Sequence, residues 1–167
     1  MAASTNPLGI NPGDKASATY ATLYAANLGR KYMIDGREWK VVKTGAAIAA
    51  AVIQSRVMLD AGTTAKTNIV TAAAGAAAVK HLIAGIGHSA QVALDSGDYF
   101  LIQTSGRATC IAVAAGVTTA TPQITGAAGT TGDAGVISTA VWSQLIGVAH
   151  ATAANGVAYE LEMEAIA

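Results

Sequence analysis

Hydrophobic and polar residues alternate with a period of two along several short segments of this chain. One face of the segment 107–113 carries Arg107, Thr109, Ile111 and Val113, and the other carries the small residues Ala108, Cys110 and Ala112. Such alternation predicts β-strands. Because Ser105-Gly106 interrupts the pattern, we predict a hairpin over 97–116 that turns at this dipeptide. The small-residue face predicts close packing against another sheet or another subunit.

Two further hairpins are predicted at dipeptides that favour a type I′ turn. Asp35-Gly36 separates strands at 32–34 and 37–44, and Asn155-Gly156 separates strands at 145–151 and 157–163. Additional short strands are predicted at 52–59, 68–71, 82–86 and 91–94, and residues 116–135 are predicted to form a loop rich in Thr and Gly. Short strands with turn signals every 8–12 residues or so are typical of sandwiches and barrels. We therefore predict an all-β fold, a small sandwich or barrel of antiparallel strands, rather than an alanine-rich helical protein.

The N-terminal residues are predicted to form an extended arm. Residues 1–18 contain two prolines and two glycines that oppose both helix and strand. This segment either docks on a partner or is a disordered terminus, and a short helix at 18–28 is predicted to end at Gly29. We divide the chain into an N-terminal arm, 1–28, and a β-domain, 29–167.

The composition indicates that one chain has few large anchors for a deep core. Hydrophobic residues make up 52% of the 167 residues, but only 5% are aromatic and only 12% are charged. Most of the apolar residues are alanines, and burial stabilises in proportion to apolar area, at roughly 25 cal/mol per Å². We infer that part of the stability comes from assembly with other copies or with a larger lattice.

Charge and hydropathy disfavour two classes of partner. The formal net charge is +0, and the sequence contains no run of Lys or Arg, which disfavours binding to nucleic acid phosphates. Apolar runs such as Ala46–Ile53 are shorter than the roughly 20 residues of a membrane-spanning helix. The first residues lack the features of a signal peptide, and a single cysteine, Cys110, allows no internal disulfide.

The sequence around Ser89 is the strongest candidate for catalysis. Gly87-His88-Ser89-Ala90-Gln91 approaches the nucleophile elbow G-x-S-x-G, but Gln91 replaces the second glycine. The α/β alternation that carries such an elbow is missing, so an ordinary turn is the favoured interpretation. His150, with Asp95, Asp98 or Asp133, would complete the triad of this hydrolase alternative.

Other candidate side chains have a simpler structural interpretation. His81, His88 and His150 lack metal-ligand spacing, and Glu160, Glu162 and Glu164 alternate along one solvent face, as in a charged edge strand. The two tryptophans could bind a glycan, but a core or interface anchor is favoured.

Five segments carry a resemblance to a known family. They are Leu28-Gly-Arg-Lys-Tyr32, Asp35-Gly-Arg-Glu-Trp-Lys-Val-Val-Lys-Thr-Gly-Ala-Ala-Ile48, Ile83-Ala-Gly-Ile86, Gly97-Asp-Tyr-Phe-Leu-Ile-Gln-Thr-Ser-Gly-Arg-Ala-Thr109 and Leu145-Ile-Gly-Val-Ala149. In the order of these strands and turns, the chain resembles the small alanine- and glycine-rich proteins that decorate the capsid of tailed bacteriophages, also called head cement proteins.

The resemblance implies a structural virion protein that is not an enzyme and carries no cofactor. Made in the host cytoplasm, it would bind the major capsid protein on the outer capsid surface, with a homotrimer favoured and with neither nucleic acid nor membrane as a partner. The candidate contacts with the capsid or another subunit are Pro7, Leu8, Ile10, Pro12, Tyr20, Tyr24, Trp39 and Trp142. The alternatives are another phage component, a head-fibre base or tail protein, and, less favoured, a Ser hydrolase or glycan-binding module.

Overall fold

The structure, a computed structural model, describes residues 9–16, 21–62, 67–72, 83–112, 123–125, 135–136 and 145–163. Within these residues the fold is all-β, which confirms the prediction. The helices are α1 (Ala21–Ala25) and α2 (Ala50–Ile53). The strands are β1 (Lys15–Ala16), β2 (Lys31–Ile34), β3 (Arg37–Thr44), β4 (Val57–Asp60), β5 (Ile69–Ala72), β6 (Ile83–Gly87), β7 (Tyr99–Ile111), β8 (Gln123–Thr125), β9 (Gly135–Val136), β10 (Leu145–Ala149) and β11 (Ala158–Met163).

Five of these strands close into a barrel. The pairings run from β3 to β5, β4, β6 and β7, and β7 pairs with β3 again. The β3–β5 pairing is parallel, so the prediction of antiparallel strands alone is wrong at this position. One buried cluster takes residues from all five strands and therefore fills the barrel: Val42, Met58, Val70, Ala84, Phe100 and Ile102, with Ile48, Ile53 and Leu94 from the connections.

Strand β7 is continuous where the sequence predicted a turn. It runs for 13 residues through Ser105-Gly106, and its first half pairs with β3 whereas its second half pairs with β11. The register shifts opposite Glu38 and Trp39, and Gly106 has a φ of +84°. The extra residue at this shift is Thr104, and Gly106 keeps its positive φ within the continuous strand, paired with Met163. The predicted hairpin over 97–116 is therefore wrong. The predicted small-residue face is confirmed as far as Ala112, because its side chains are buried.

The second half of β7 belongs to an outer sheet with the order β7-β11-β10-β8-β9. The predicted antiparallel pairing of β10 with β11 is confirmed, but residues 150–157 connect the two strands and Gly156, not Asn155, has a positive φ, so the predicted type I′ turn at this dipeptide is wrong. The predicted loop at 116–135 contains β8 and the first residue of β9. The outer sheet packs on the barrel through mostly small side chains. The barrel contributes Val57, Leu59, Ile83 and Ile86, and the outer sheet and its hairpin contribute Ala108, Cys110, Ala112, Ala149, Ala153, Tyr159, Leu161 and Met163.

The N-terminal segment 9–16, α1 and β2 cover the outside of the barrel at β3 and β7. Their shared cluster contains Ile10, Ala16, Tyr24, Ile34, Trp39, Val41, Tyr99 and Leu101. The hairpin at Asp35-Gly36 is confirmed, with both residues at positive φ (50° and 73°). The predicted short helix is confirmed at α1, and Gly29 follows it with a φ of +81°.

Other segments differ from the predictions in detail. Helix α2 occupies the beginning of the predicted strand 52–59, and β4 forms only at its end. The predicted strand 91–94 contributes a single bridge, from Leu94 to Ile48. In the described part of the chain, none of the helices is long and apolar enough to cross a membrane.

Candidate functional site

Four of the eight predicted contact residues lie in the described structure, and three of them are buried inside it. Ile10, Tyr24 and Trp39 pack in the cluster that covers β3 and β7. Pro12 is partly exposed and lies beside Trp39 at a small cavity. A role for these residues in contacts between subunits stays a prediction. The other four lie outside the described residues: Pro7, Leu8, Tyr20 and Trp142.

The cavity beside Trp39 has a volume of about 190 Å³. It is lined by apolar and charged side chains: Pro12, Ile34, Asp35, Arg37, Trp39 and His88. The rings of Trp39 and His88 lie 5.7 Å apart at 55°. Because Trp39 is only 2% exposed, it offers no open platform for a sugar ring and serves as a core anchor, the favoured interpretation.

His88 is held in the turn that follows β6. The Ala90 amide donates a hydrogen bond to His88 Nδ1 at 3.2 Å, and the Gln91 amide donates to the His88 carbonyl at 3.0 Å. Burial lowers the pKa of His88, the positive charge of Arg37 lowers it further, and Asp14 opposes them. The imidazole is therefore held neutral.

Gln91 connects this turn to the N-terminal segment. Its side chain is fully buried, and its Nε2 donates to the Asp14 carbonyl at 3.1 Å. The neighbouring Val92 amide donates to the Gly13 carbonyl at 3.0 Å, and Gln54 Nε2 donates to the Gln91 carbonyl at 2.9 Å. Gln91, considered in the sequence only as a departure from the elbow pattern, is thus a central anchor of the segment 9–16.

A second set of contacts fixes the end of the segment. Lys15 and Ala16 pair with Phe100 and Tyr99 of β7. Lys15 Nζ lies 2.7 Å from Asp95 and 3.0 Å from Asp98, and hydrogen bonds to these two carboxylates raise the pKa of Lys15. A groove of about 400 Å³ lies alongside, lined by Gly9, Ile10, Asp14, Lys15, Ala16, Tyr24 and Val92.

The residues of the hydrolase alternative have other roles where the structure describes them. Ser89 is exposed in the turn, while Asp95 and Asp98 bind Lys15. His150 follows β10 on the outer sheet, 4.0 Å from Glu162. Among the described residues, no group of three or more His, Cys, Asp or Glu side chains is placed to hold a metal ion.

The outer sheet presents an exposed face away from the barrel. Arg107 forms an ion pair with Glu160, and the side chains of both are more than half exposed. Glu160 and Glu162 share this solvent face, as predicted, but β11 lies between β7 and β10 and is not an edge strand. Val148 on β10 and Val157 beside β11 are also exposed, so charged and apolar side chains occur together on this sheet.

Comparison with known proteins finds similarity among solved structures. No family model matches this chain, and no curated protein matches it. Among solved structures, the chain is similar to the N base of the head fiber gp8.5 in bacteriophage phi29. The sequence identity is 14%, the TM-score is 0.45, and the match covers 75% of this chain and 92% of that chain.

Proposed function

We propose that this protein is a structural component of the head of a tailed bacteriophage, where it binds the major capsid protein lattice from outside. The resemblance of five sequence segments to capsid decoration proteins is the starting point. The role is non-enzymatic and uses no cofactor. A formal net charge of +0 favours a protein partner over packaged DNA.

The observation that supports this proposal is the exposed face of the outer sheet. It combines Val148 with the ion-paired Arg107 and Glu160, a mixture of apolar and polar groups that suits a protein interface. The opposite face packs on the barrel through fully buried side chains such as Cys110 and Leu161. The exposed face is therefore preformed, which lowers the entropy lost on binding.

Assembly of several copies on the capsid lattice would increase the affinity that one such contact provides. One exposed sheet face gives a modest affinity, and simultaneous contacts by a homotrimer with neighbouring capsid subunits would raise it by avidity. We therefore include a homotrimer in the proposal. A mass measurement in solution tests the oligomer independently of capsid binding.

Binding to empty capsid shells that lack this protein tests the proposal. Wild-type protein is expected to sediment with such shells and to saturate at a fixed ratio to the major capsid protein. Val148→Asp should weaken binding about tenfold or more, because it places an unpaired carboxylate in the contact. Val52→Asp on α2 is the matched control, since Val52 has nearly the same exposure (37% against 38%).

Three outcomes would contradict the proposal. A failure of the folded wild-type protein to bind shells would remove the capsid as the partner. Binding at only a few positions per particle would instead favour the head-fibre base or tail protein. An equal loss of binding in both valine variants would exclude the outer sheet as the contact.

A further inference from the structure

The contact between segment 9–16 and the turn at His88 requires a neutral imidazole. The Ala90 amide donates to His88 Nδ1, so this nitrogen carries a lone pair in the closed arrangement. A protonated imidazole has N–H groups on both ring nitrogens and accepts no hydrogen bond at either. Protonation of His88 would therefore place two N–H donors, the Ala90 amide and Nδ1–H, opposite each other. The hydrogen bond between them would be lost.

Segment 9–16 lies directly against the same ring nitrogen. A Cβ built on Gly13 would lie 2.9 Å from His88 Nδ1, so a glycine backbone is needed at this contact. The ring of Trp39 also lies close to the imidazole, with the ring centroids 5.7 Å apart. The neighbouring Val92 amide holds the Gly13 carbonyl. A shift or rotation of the His88 imidazole would therefore displace the backbone of segment 9–16 at Gly13.

Charged groups from three elements face His88. Arg37 lies on β3, Asp35 in the β2–β3 turn, and Asp14 on the segment itself. Burial and Arg37 disfavour the imidazolium, and Asp14 offsets only part of their effect. Detachment of the segment would remove the part of this burial that the segment supplies and so favour protonation of His88.

We propose that protonation of His88 releases segment 9–16 from the barrel, so that the segment is an acid-sensitive strap. Its release would uncouple β1 from β7 and free the backbone edge at Tyr99 and Phe100 for a strand of another chain. The inference is independent of capsid binding, since it concerns an equilibrium within one chain.

The direction of the pH dependence follows from proton linkage. Release removes burial that lowers the pKa of His88 and leaves Arg37 in place, so we expect the pKa in the released state to lie above its closed value and no higher than the ordinary value of about 6.5. The released state therefore binds more protons, so the stability of the closed strap is complete above pH 6.5 or so and declines as the pH falls below it. The equilibrium shifts toward release by up to about tenfold per pH unit.

Amide hydrogen exchange of the full chain measures this equilibrium. Protection of the Val92 amide, corrected for the intrinsic exchange rate, is expected to fall, by up to about tenfold, when the pH is lowered from roughly 7 to 5.5. The Leu101 amide, within a barrel strand, should keep its protection. Carboxyl groups in model peptides titrate near pH 4. A loss that begins only below about pH 5 would therefore overturn the assignment to His88.

A matched variant isolates the histidine. In His88→Asn the side-chain oxygen can accept the Ala90 hydrogen bond in place of Nδ1 but does not titrate, so Val92 protection should become constant between about pH 7 and 5.5. Direct titration of His88 in the wild-type protein by NMR gives a second measurement that needs no variant. Constant Val92 protection in the wild type, or the same loss in His88→Asn, would refute the strap.

Discussion

Tyr159 and Cys110 are register partners on β11 and β7, and both side chains are buried between the barrel and the outer sheet. Among the described residues, the Tyr159 hydroxyl has no hydrogen-bond partner. Burial raises the pKa of this hydroxyl, and Cys110 raises it further. Two weakly polar groups thus occupy the apolar layer that joins the two parts of the fold.

Tyr159→Phe should stabilise the protein. A buried hydroxyl without a partner carries a desolvation penalty, and its removal is expected to raise the free energy of unfolding by about 1 kcal/mol. Urea denaturation measures the change. Tyr32→Phe is the matched control, because the Tyr32 hydroxyl bonds to Asn27 Oδ1 at 3.0 Å and its loss should destabilise by about 1 kcal/mol. A destabilising Tyr159→Phe would contradict the expectation.

The Cys110 thiol should be protected from reagents in the folded protein. The side chain is fully buried, and thiol reagents need an accessible thiolate. We expect negligible labelling by a thiol-reactive disulfide in native buffer and complete labelling in urea. Rapid labelling of native protein would show that the outer sheet separates readily from the barrel.

Asp60 should make the fold sensitive to acid. Its buried carboxylate accepts hydrogen bonds from the Gly62 amide (2.8 Å), the Thr67 amide and hydroxyl (2.9 and 2.8 Å) and the Asn68 amide (2.6 Å). Burial alone would raise the pKa of Asp60, but these bonds lower it overall. Its stabilisation is therefore complete above the unfolded pKa of about 3.9 and is lost as the pH falls through the lower folded value.

Asp60→Asn should flatten this acid dependence. The amide keeps the size of the carboxylate but replaces one acceptor oxygen with a donor, so we expect a loss of about 2 kcal/mol at neutral pH. Urea denaturation at several pH values measures both effects. Asp95→Asn is the control at an exposed carboxylate and should change stability by less than about 1 kcal/mol. Equal effects of the two substitutions would refute a special role for Asp60.

Gly147 should tolerate no side chain. A Cβ at this position would lie 2.2 Å from the Glu162 carbonyl oxygen on the paired strand β11. Gly147→Ala is therefore expected to destabilise by about 3 kcal/mol, because the strands must separate or shift. Gly156→Ala is the control: the added methyl meets open space, and the positive φ of +72° costs about 1 kcal/mol. Thermal unfolding of both variants measures whether Gly147→Ala is the more destabilising of the two, as we expect.

Local signals in the sequence predicted part of the local structure. Asp35-Gly36 defines its hairpin because both residues adopt the positive φ that a type I′ turn requires. At Asn155-Gly156 only Gly156 does so, and the connection between the strands is longer than predicted. Ser105-Gly106 led to a wrong prediction, because a glycine at positive φ occurs here within a continuous strand and not in a turn. The choice between them depends on the partners β3 and β11, which are distant in sequence.

The closure of the barrel and the anchoring of segment 9–16 could not be predicted from the sequence, for a related reason. The β3–β5 and β3–β7 pairings join residues far apart along the chain, and alternation does not specify partners. Gln91 is a polar residue whose complete burial follows only from the backbone groups around it. Of the predicted contact residues, Ile10, Tyr24 and Trp39 are buried within the chain, and the sequence indicated a core or interface anchor only for the tryptophan.

The continuity of β7 has a mechanical consequence. A tensile force on the outer sheet would pass into the barrel along one covalent backbone, without crossing a loop that could extend. Hydrogen bonds to β3 and β11 along this strand would then bear the load together, so an external pull would meet resistance from both parts of the fold at once.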